Sequence, residues 1–258
     1  MKSSDKIALQ AVVFDYGNVL SLDQVADAPG KLARLCGLSL EVFTERFWKT
    51  RLAYDRADLD GKAYWEGIAQ SSLTPGILEE LYAIDSASWG NPNLVMLGWV
   101  EQLRAAGTRV AVLSNMPLEI KLFLVENRDW LAGFDPLIFS CDLRLVKPEA
   151  AIYRDCIERL QLPPEAVLFL DDKAVNVDAA RAIGMHSLVF ETVEKTLPLV
   201  QEQFDLPVPE SVVSPAGQGW ATARKPRKVC KSLHFLHTTH IQKAQSFAQF
   251  LGAKPGFP

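Results

Sequence analysis

The chain has 258 residues, 48% hydrophobic and 22% charged, with four cysteines and a formal net charge of −4, the proportions of a globular chain able to bury a full core in one or two domains. No apolar run approaches the ~20 residues of a membrane helix, and Cys36, Cys141, Cys156 and Cys230 form no C-x-x-C pair. A helical membrane protein, a disulfide-stapled mini-domain and a wholly disordered chain are therefore excluded. The charge is uneven: residues 211–258 hold seven of the 27 basic residues and none of the 31 acidic ones, so an acidic body carries a basic extension. Scattered thiols, and a MKSSDKIALQ start with no long apolar stretch, predict a cytoplasmic protein.

In chain order, Ala11–Phe14 is a short apolar run ending on Asp15. Val110–Leu113 ends on Ser114, Leu137–Phe139 on Ser140 and Val167–Leu170 on Asp171, and Ser187–Phe190 is a fifth run. Continuous apolar runs suit strands covered on both faces. Between them the patterning predicts helices at Asn93–Ala106, closed by Gly107, at Glu149–Leu160, opened by Pro148, and at Ala174–Ile183, closed by Gly184. The alternation predicts an α/β fold, a doubly wound Rossmann-like parallel sheet. Ser21–Trp89 shows helical patterns only, including Leu40–Arg51 and Gly61–Ser71, and is too long for a connection. The expected organisation is a catalytic core over 1–20 and 90–206, a small helical cap over 21–89, and a basic, partly unfolded extension over 207–258.

Ligands of open parallel sheets sit beyond the carboxyl ends of the strands. There this sequence places Asp15, Ser114 with Asn115, and Asp171 with Asp172, while Lys147 precedes a helix. That set suits phosphoryl transfer: a carboxylate to attack phosphorus, carboxylates to hold a hard cation, and a lysine and a hydroxyl for the remaining oxygens.

FDYGNVL (14–20), VLSNMP (112–117), VKPEAAIY (146–153) and FLDDKAVNVDAARAIGM (169–185) resemble, in order and spacing, the four motifs of the haloacid dehalogenase superfamily. The likeness covers about 8–204 and is strongest to its capped phosphatases, such as the α-glucose-1-phosphate phosphatase group and the N-terminal phosphatase domain of soluble epoxide hydrolase. The resemblance implies a Mg²⁺-dependent phosphatase for a small phosphorylated metabolite, with neither nucleic acid nor membrane as partner. Asp15 would be the nucleophile, forming an aspartyl-phosphate. Ser114 and the Asn115 amide would bind phosphate oxygens, and Lys147 would neutralise charge and orient Asp15. Asp172 would ligate Mg²⁺, with Asp171 ligating it or holding one of its waters and the Gly17 carbonyl adding a further ligand.

One departure matters. The family's first motif carries a second Asp, an acid–base group, where this chain has Gly17. Losing such a group costs ~10²–10⁴ in rate, least for esters whose leaving oxygen is a weak base, so acyl, aryl or anomeric sugar phosphates are the expected substrates. The alternative is a catalytically weak phospho-ligand-binding or regulatory protein. The metal-free 2-haloacid dehalogenase reaction ranks lower, because it would leave Asp171 and Asp172 as like charges without a cation, and because Tyr16 follows Asp15 by one residue where dehalogenases have Tyr at two. Arg144, where relatives often have Gly, is expected to face solvent. In the cap, the YDRADLDG loop (54–61) offers Arg56 as a substrate contact, with Asp55 as another candidate. Trp48, Tyr64 and Trp65 are expected in the cap core. In the extension, Cys230, His234, His237 and His240 and the basic cluster Arg224–Lys231 are given no metal or nucleic acid, and His186 no role.

Overall fold

The computed structural model describes residues 6–209, so the expectations for 224–240 lie outside the described residues. Five strands, β1 (Ala11–Phe14), β2 (Arg109–Ser114), β3 (Leu137–Phe139), β4 (Val167–Asp171) and β5 (His186–Val189), form one parallel sheet in the order β3-β2-β1-β4-β5. The doubly wound α/β expectation holds. β1 is central and wholly buried, and successive side chains point to opposite faces. Val12, Phe14, Val112, Leu168 and Leu170 thus enter one apolar cluster, Ala11, Val13, Ala111, Leu113 and Phe169 the other.

In chain order the helices are α1 (Ala28–Leu35), α2 (Leu40–Lys49), α3 (Arg51–Asp55), α4 (Gly61–Ala69), α5 (Pro75–Ser88), α6 (Leu94–Ala105), α7 (Leu118–Asn127), α8 (Ser140–Leu143), α9 (Ala150–Leu160), α10 (Ala174–Ala182) and α11 (Val193–Gln203). α6 and α11 cover one face of the sheet with Trp99, Leu103, Leu197 and Val200. α9 and α10 cover the other with Ile152, Tyr153, Cys156 and Ala180.

The segment after β1 builds α1–α5 around its own apolar cluster, which includes Leu32, Phe43, Phe47, Trp65 and Leu81. Ser39, Asp60 and Thr74 each cap a helix by accepting the N–H three residues on, which satisfies a donor that would otherwise be orphaned. The two connecting strands run side by side: Leu22 N–H donates to Asn91 O at 2.8 Å and Asn93 N–H to Leu20 O at 2.8 Å. The helical run expected over Leu40–Arg51 breaks at Thr50 (φ −114°, ψ 5°), which separates α2 from α3 and turns Arg51 inward. Tyr64 and Trp65 are core residues, but Trp48 is 52% exposed and corrects the expectation that it packs inside.

Candidate active site

A single turn, Tyr16–Leu20, follows β1 and closes with an i→i+5 bond from Ser21 N–H to Tyr16 O at 2.9 Å. Wide turns of this kind are frequent at functional sites. Asn18 at φ 59° makes the turn possible, since asparagine tolerates the left-handed region. Asp15, just before it, accepts the Tyr16 N–H on Oδ1 at 2.7 Å, and the same oxygen lies 2.9 Å from Lys147 Nζ.

Lys147 is the hinge pin of the floor. Its ammonium is 2.9 Å from Asp15 Oδ1 and 2.6 Å from Asp171 Oδ2, and the residue is 3% exposed. The side-chain amide of Asn115 clamps the Lys147 peptide from both sides, with Lys147 N–H donating to Oδ1 at 2.8 Å and Nδ2 donating to Lys147 O at 3.0 Å. The side chain of Asn115, a residue expected on phosphate, thus also places the lysine. Asp171, fully buried, also accepts the Lys173 N–H at 2.8 Å and the Asn176 amide at 2.9 and 3.0 Å.

Oxygens of Asp15, Asp171 and Asp172 lie within 4.8 Å of one another. Three carboxylates around one buried ammonium leave an excess of negative charge in a poorly solvated place. The consequence is visible at Asp15: burial, with Asp171 and Asp172 adding, pushes its pKa up to about 7 against the pull of Lys147. Burial also opposes ionisation of Asp171, but Lys147, the Lys173 N–H and Asn176 outweigh it and hold that carboxyl below its ordinary value. The cluster therefore takes up either a proton or a cation. Its all-oxygen donor set suits a hard divalent ion such as Mg²⁺, and a second feature agrees. Asn18 donates from Nδ2 to Asp172 Oδ2 at 2.9 Å, which leaves its buried Oδ1 without a partner among the described residues.

These groups open into a cavity of about 280 Å³. Asp15, Gly17, Ser114, Asn115, Lys147 and Asp172 line its floor, with Asp171 beneath. The helical insertion lines the opposite wall with Trp48, Arg51, Leu52 and Asp55. Arg56 is not among the lining residues. Its guanidinium is held by Glu149, and more loosely by Asp58 at 3.5 Å, and the arginine that lines the cavity is Arg51. Arg144 faces solvent as expected, 66% exposed, while reaching Asp58 at 3.0 Å.

Several functional neighbours escaped the sequence reading. Asn18 and Asn176 stand inside recognisable motifs but were given no role. Arg51 looks like an ordinary helix end until the break at Thr50 is seen. Lys173 lines the cavity and makes no ion pair among the described residues.

A family model for haloacid dehalogenase-like hydrolases matches residues 9–184. The chain belongs to that family. The mouse bifunctional epoxide hydrolase 2 is 33% identical to this hydrolase over 232 residues, covering 80% of the chain and 40% of the relative. The hydrolase spans only 11% of the mouse acyl-CoA dehydrogenase family member 10, at 29% identity and with 44% of the chain covered. A sesquiterpene phosphatase of Aspergillus oryzae is 24% identical, with 69% of this chain and 88% of the relative covered. A HAD family enzyme of Bacteroides thetaiotaomicron, solved with magnesium and inorganic phosphate, shares the fold at a TM-score of 0.62 and 17% identity, over 74% of this chain and 99% of the other. Among the described residues no helix is long and apolar enough to cross a membrane.

Proposed function

We propose that this hydrolase is a Mg²⁺-dependent phosphomonoesterase that works through a phosphorylated Asp15 on a small phosphorylated metabolite. The observation that carries the reading is the Lys147 ammonium bridging Asp15 and Asp171 beside Asp172, at the floor of one cavity with Ser114. The names of the Aspergillus relative and of a phosphorylated carbohydrates phosphatase of Thermotoga maritima, 26% identical over 34% of this chain and 41% of that relative, lend support.

Asp15, Asp171 and Asp172, with the Gly17 carbonyl, would hold Mg²⁺, whose charge would offset that of the phosphate. The chain's own groups do the rest. Oδ1 of Asp15 is held by the Tyr16 N–H and Lys147, and Oδ2, which has no hydrogen-bond partner among the described residues, is the oxygen that would attack phosphorus. Lys147 and the Ser114 hydroxyl meet the phosphate oxygens, with Lys173 near enough to add charge. With glycine at position 17, esters with a weakly basic leaving oxygen (sugar-1-phosphates, acyl and aryl phosphates) are cleaved most readily. Trp48, Leu52, Trp89, Met116 and Ile120 line the same cavity, and this apolar wall favours an aryl or other apolar body among them.

The test is a phosphatase screen over sugar, acyl, aryl and nucleotide phosphates, with and without Mg²⁺, beside an Asp15→Asn control. Mg²⁺-dependent phosphate release that the control lacks is expected. Phosphate binding without turnover on any ester would move the chain to the ligand-binding reading.

A further inference from the structure

A phosphatase that cleaves esters of ordinary alcohols needs a proton for the leaving oxygen, and the residue two places after Asp15 cannot supply one. Gly17 is not there for lack of room. At φ −64° and ψ 132° it occupies ordinary L-residue backbone, and a Cβ built on it would meet nothing nearer than the Trp89 ring at 3.8 Å. The missing acid invites a search of the cavity for another.

Among the described residues only one further carboxylate lines it, Asp55, at the end of α3 on the opposite wall. Asp55 belongs to a buried triad. Arg51 Nε donates to Asp55 Oδ1 at 2.8 Å and Arg51 Nη1 to Asp85 Oδ2 at 3.3 Å, with Arg51 stacked against Phe47 and Tyr54. Two carboxylates share one guanidinium, all three side chains being about nine-tenths buried or more, so the triad is one negative charge in excess unless it also holds a proton. Asp85 is sealed from the cavity, whereas Asp55 faces it, and among the described residues its Oδ2 has no hydrogen-bond partner. The backbone is positioned too. Ser140 Oγ donates to Asp55 O at 2.5 Å and accepts the Met116 N–H at 2.9 Å, so one hydroxyl ties Asp55 to the loop that follows Ser114.

We infer that Asp55 is the acid–base residue of this site, replacing from the cap the group that Gly17 lacks. This rests on the phosphatase reading. In the first half-reaction Asp15 Oδ2 bonds to phosphorus, the bond from phosphorus to the leaving oxygen breaks, and the Asp55 carboxyl gives that oxygen its proton, releasing an alcohol. In the second, a water oxygen bonds to phosphorus, the bond to Asp15 breaks, and Asp55 takes the water's proton, so phosphate leaves and both acids return to their starting state. The charged and titratable groups around Asp55 are Arg51, Asp85, Tyr64, Lys147 and Lys173. Burial raises its pKa against the pull of Arg51 first and of the two lysines after. Asp55 widens the range of esters, making the dependence on leaving group shallower than Gly17 alone dictates.

The experiment measures kcat on an alkyl phosphate and on p-nitrophenyl phosphate, with Mg²⁺, for wild type, Asp55→Asn, Gly17→Asp and the double variant. Asp55→Asn is expected to lower alkyl turnover by ~10²-fold or more. With the aryl ester it should still release a first equivalent of nitrophenolate in a burst and then slow, because the leaving step no longer needs a proton while hydrolysis of the phosphorylated Asp15 still needs a base. Gly17→Asp in the same chain should bring the aryl-to-alkyl ratio back to within about tenfold of wild type, a rescue that a merely structural Asp55 would not allow. Should Asp55→Asn fail to melt cooperatively, the ratio is read on Asp55→Glu, which keeps the carboxyl but moves it by a methylene and should steepen the ratio by roughly tenfold or more. An active wild type whose ratio is unchanged in these variants overturns the role of Asp55 alone. A wild type that releases phosphate from no ester overturns the reading beneath it.

Discussion

The floor and the wall of the cavity are built on opposite principles. The floor stands on strand ends: Asp15, Ser114 and Asp171 close three adjacent strands of a sheet with apolar clusters on both faces, and Lys147 is clamped by Asn115. The wall stands on short helices joined to the core by individual polar links, buried at Ser140 to the Asp55 carbonyl and more open at Tyr54 to Glu119, Arg56 to Glu149 and Arg144 to Asp58. A rigid floor suits chemistry, whose groups must not move. A wall fastened by individual polar links rather than by a shared sheet can vary without disturbing the floor.

Substitutions separate the two regions most sharply at the nucleophile. Asp15→Asn should lower Mg²⁺-dependent turnover by at least about 10³-fold on every ester, while the thermal melt stays cooperative; a loss confined to particular substrates would place Asp15 in recognition. Lys147→Met leaves Asp15 and Asp171 facing each other without their buried cation, and breaking such a pair costs roughly 3–5 kcal/mol. Denaturant unfolding should show that loss at neutral pH, together with a fall in turnover.

The floor should also respond to pH in a definite direction. With its pKa near 7 in the fold against an ordinary value of 3.8, Asp15 keeps a proton in the native chain across a window where the unfolded chain has released it. Its contribution therefore favours folding less and less as pH rises from about 4 to about 7. Because Mg²⁺ and the proton compete for the same carboxylate, the rise in Tm on adding Mg²⁺ should be larger at pH 8 than at pH 5. An equal rise at both would dissociate the ion from Asp15. The wall should be forgiving by contrast: Arg144→Ala removes an exposed pair to Asp58 and should change unfolding free energy by no more than about 1 kcal/mol, with KM a more sensitive readout than stability.

The same contrast explains what could be read in advance. Asp15, Ser114 and Asp171 each end an unbroken apolar run, so one-dimensional patterning locates them, and the parallel order of the sheet brings them together. Lys147 follows from its place before a helix. The wall has no such signature. Arg56 sits in the conspicuous YDRADLDG loop and reads as a ligand contact, yet the fold turns it outward to Glu149. Arg51 reads as a helix terminus, and only the break at Thr50 and the buried carboxylates of Asp55 and Asp85 show why a guanidinium is tolerated inside. Trp48 follows the helical apolar period but lands on the cavity side of α2, a matter of how α2 docks rather than of its pattern. Ser140 ends a strand like Ser114, but its bond to Asp55 depends on where the cap lands. Asn18 and Asn176 act through side-chain amides whose partners, Asp172 and Asp171, are fixed only by the folded turn.

The most direct measurement is the mass of the protein quenched in acid while it turns over p-nitrophenyl phosphate with Mg²⁺. One phosphoryl group, mapped to Asp15 and missing from Asp15→Asn, is the predicted result. Steady turnover in which Asp15→Asn matches wild type, or an adduct that maps to another residue, would contradict it.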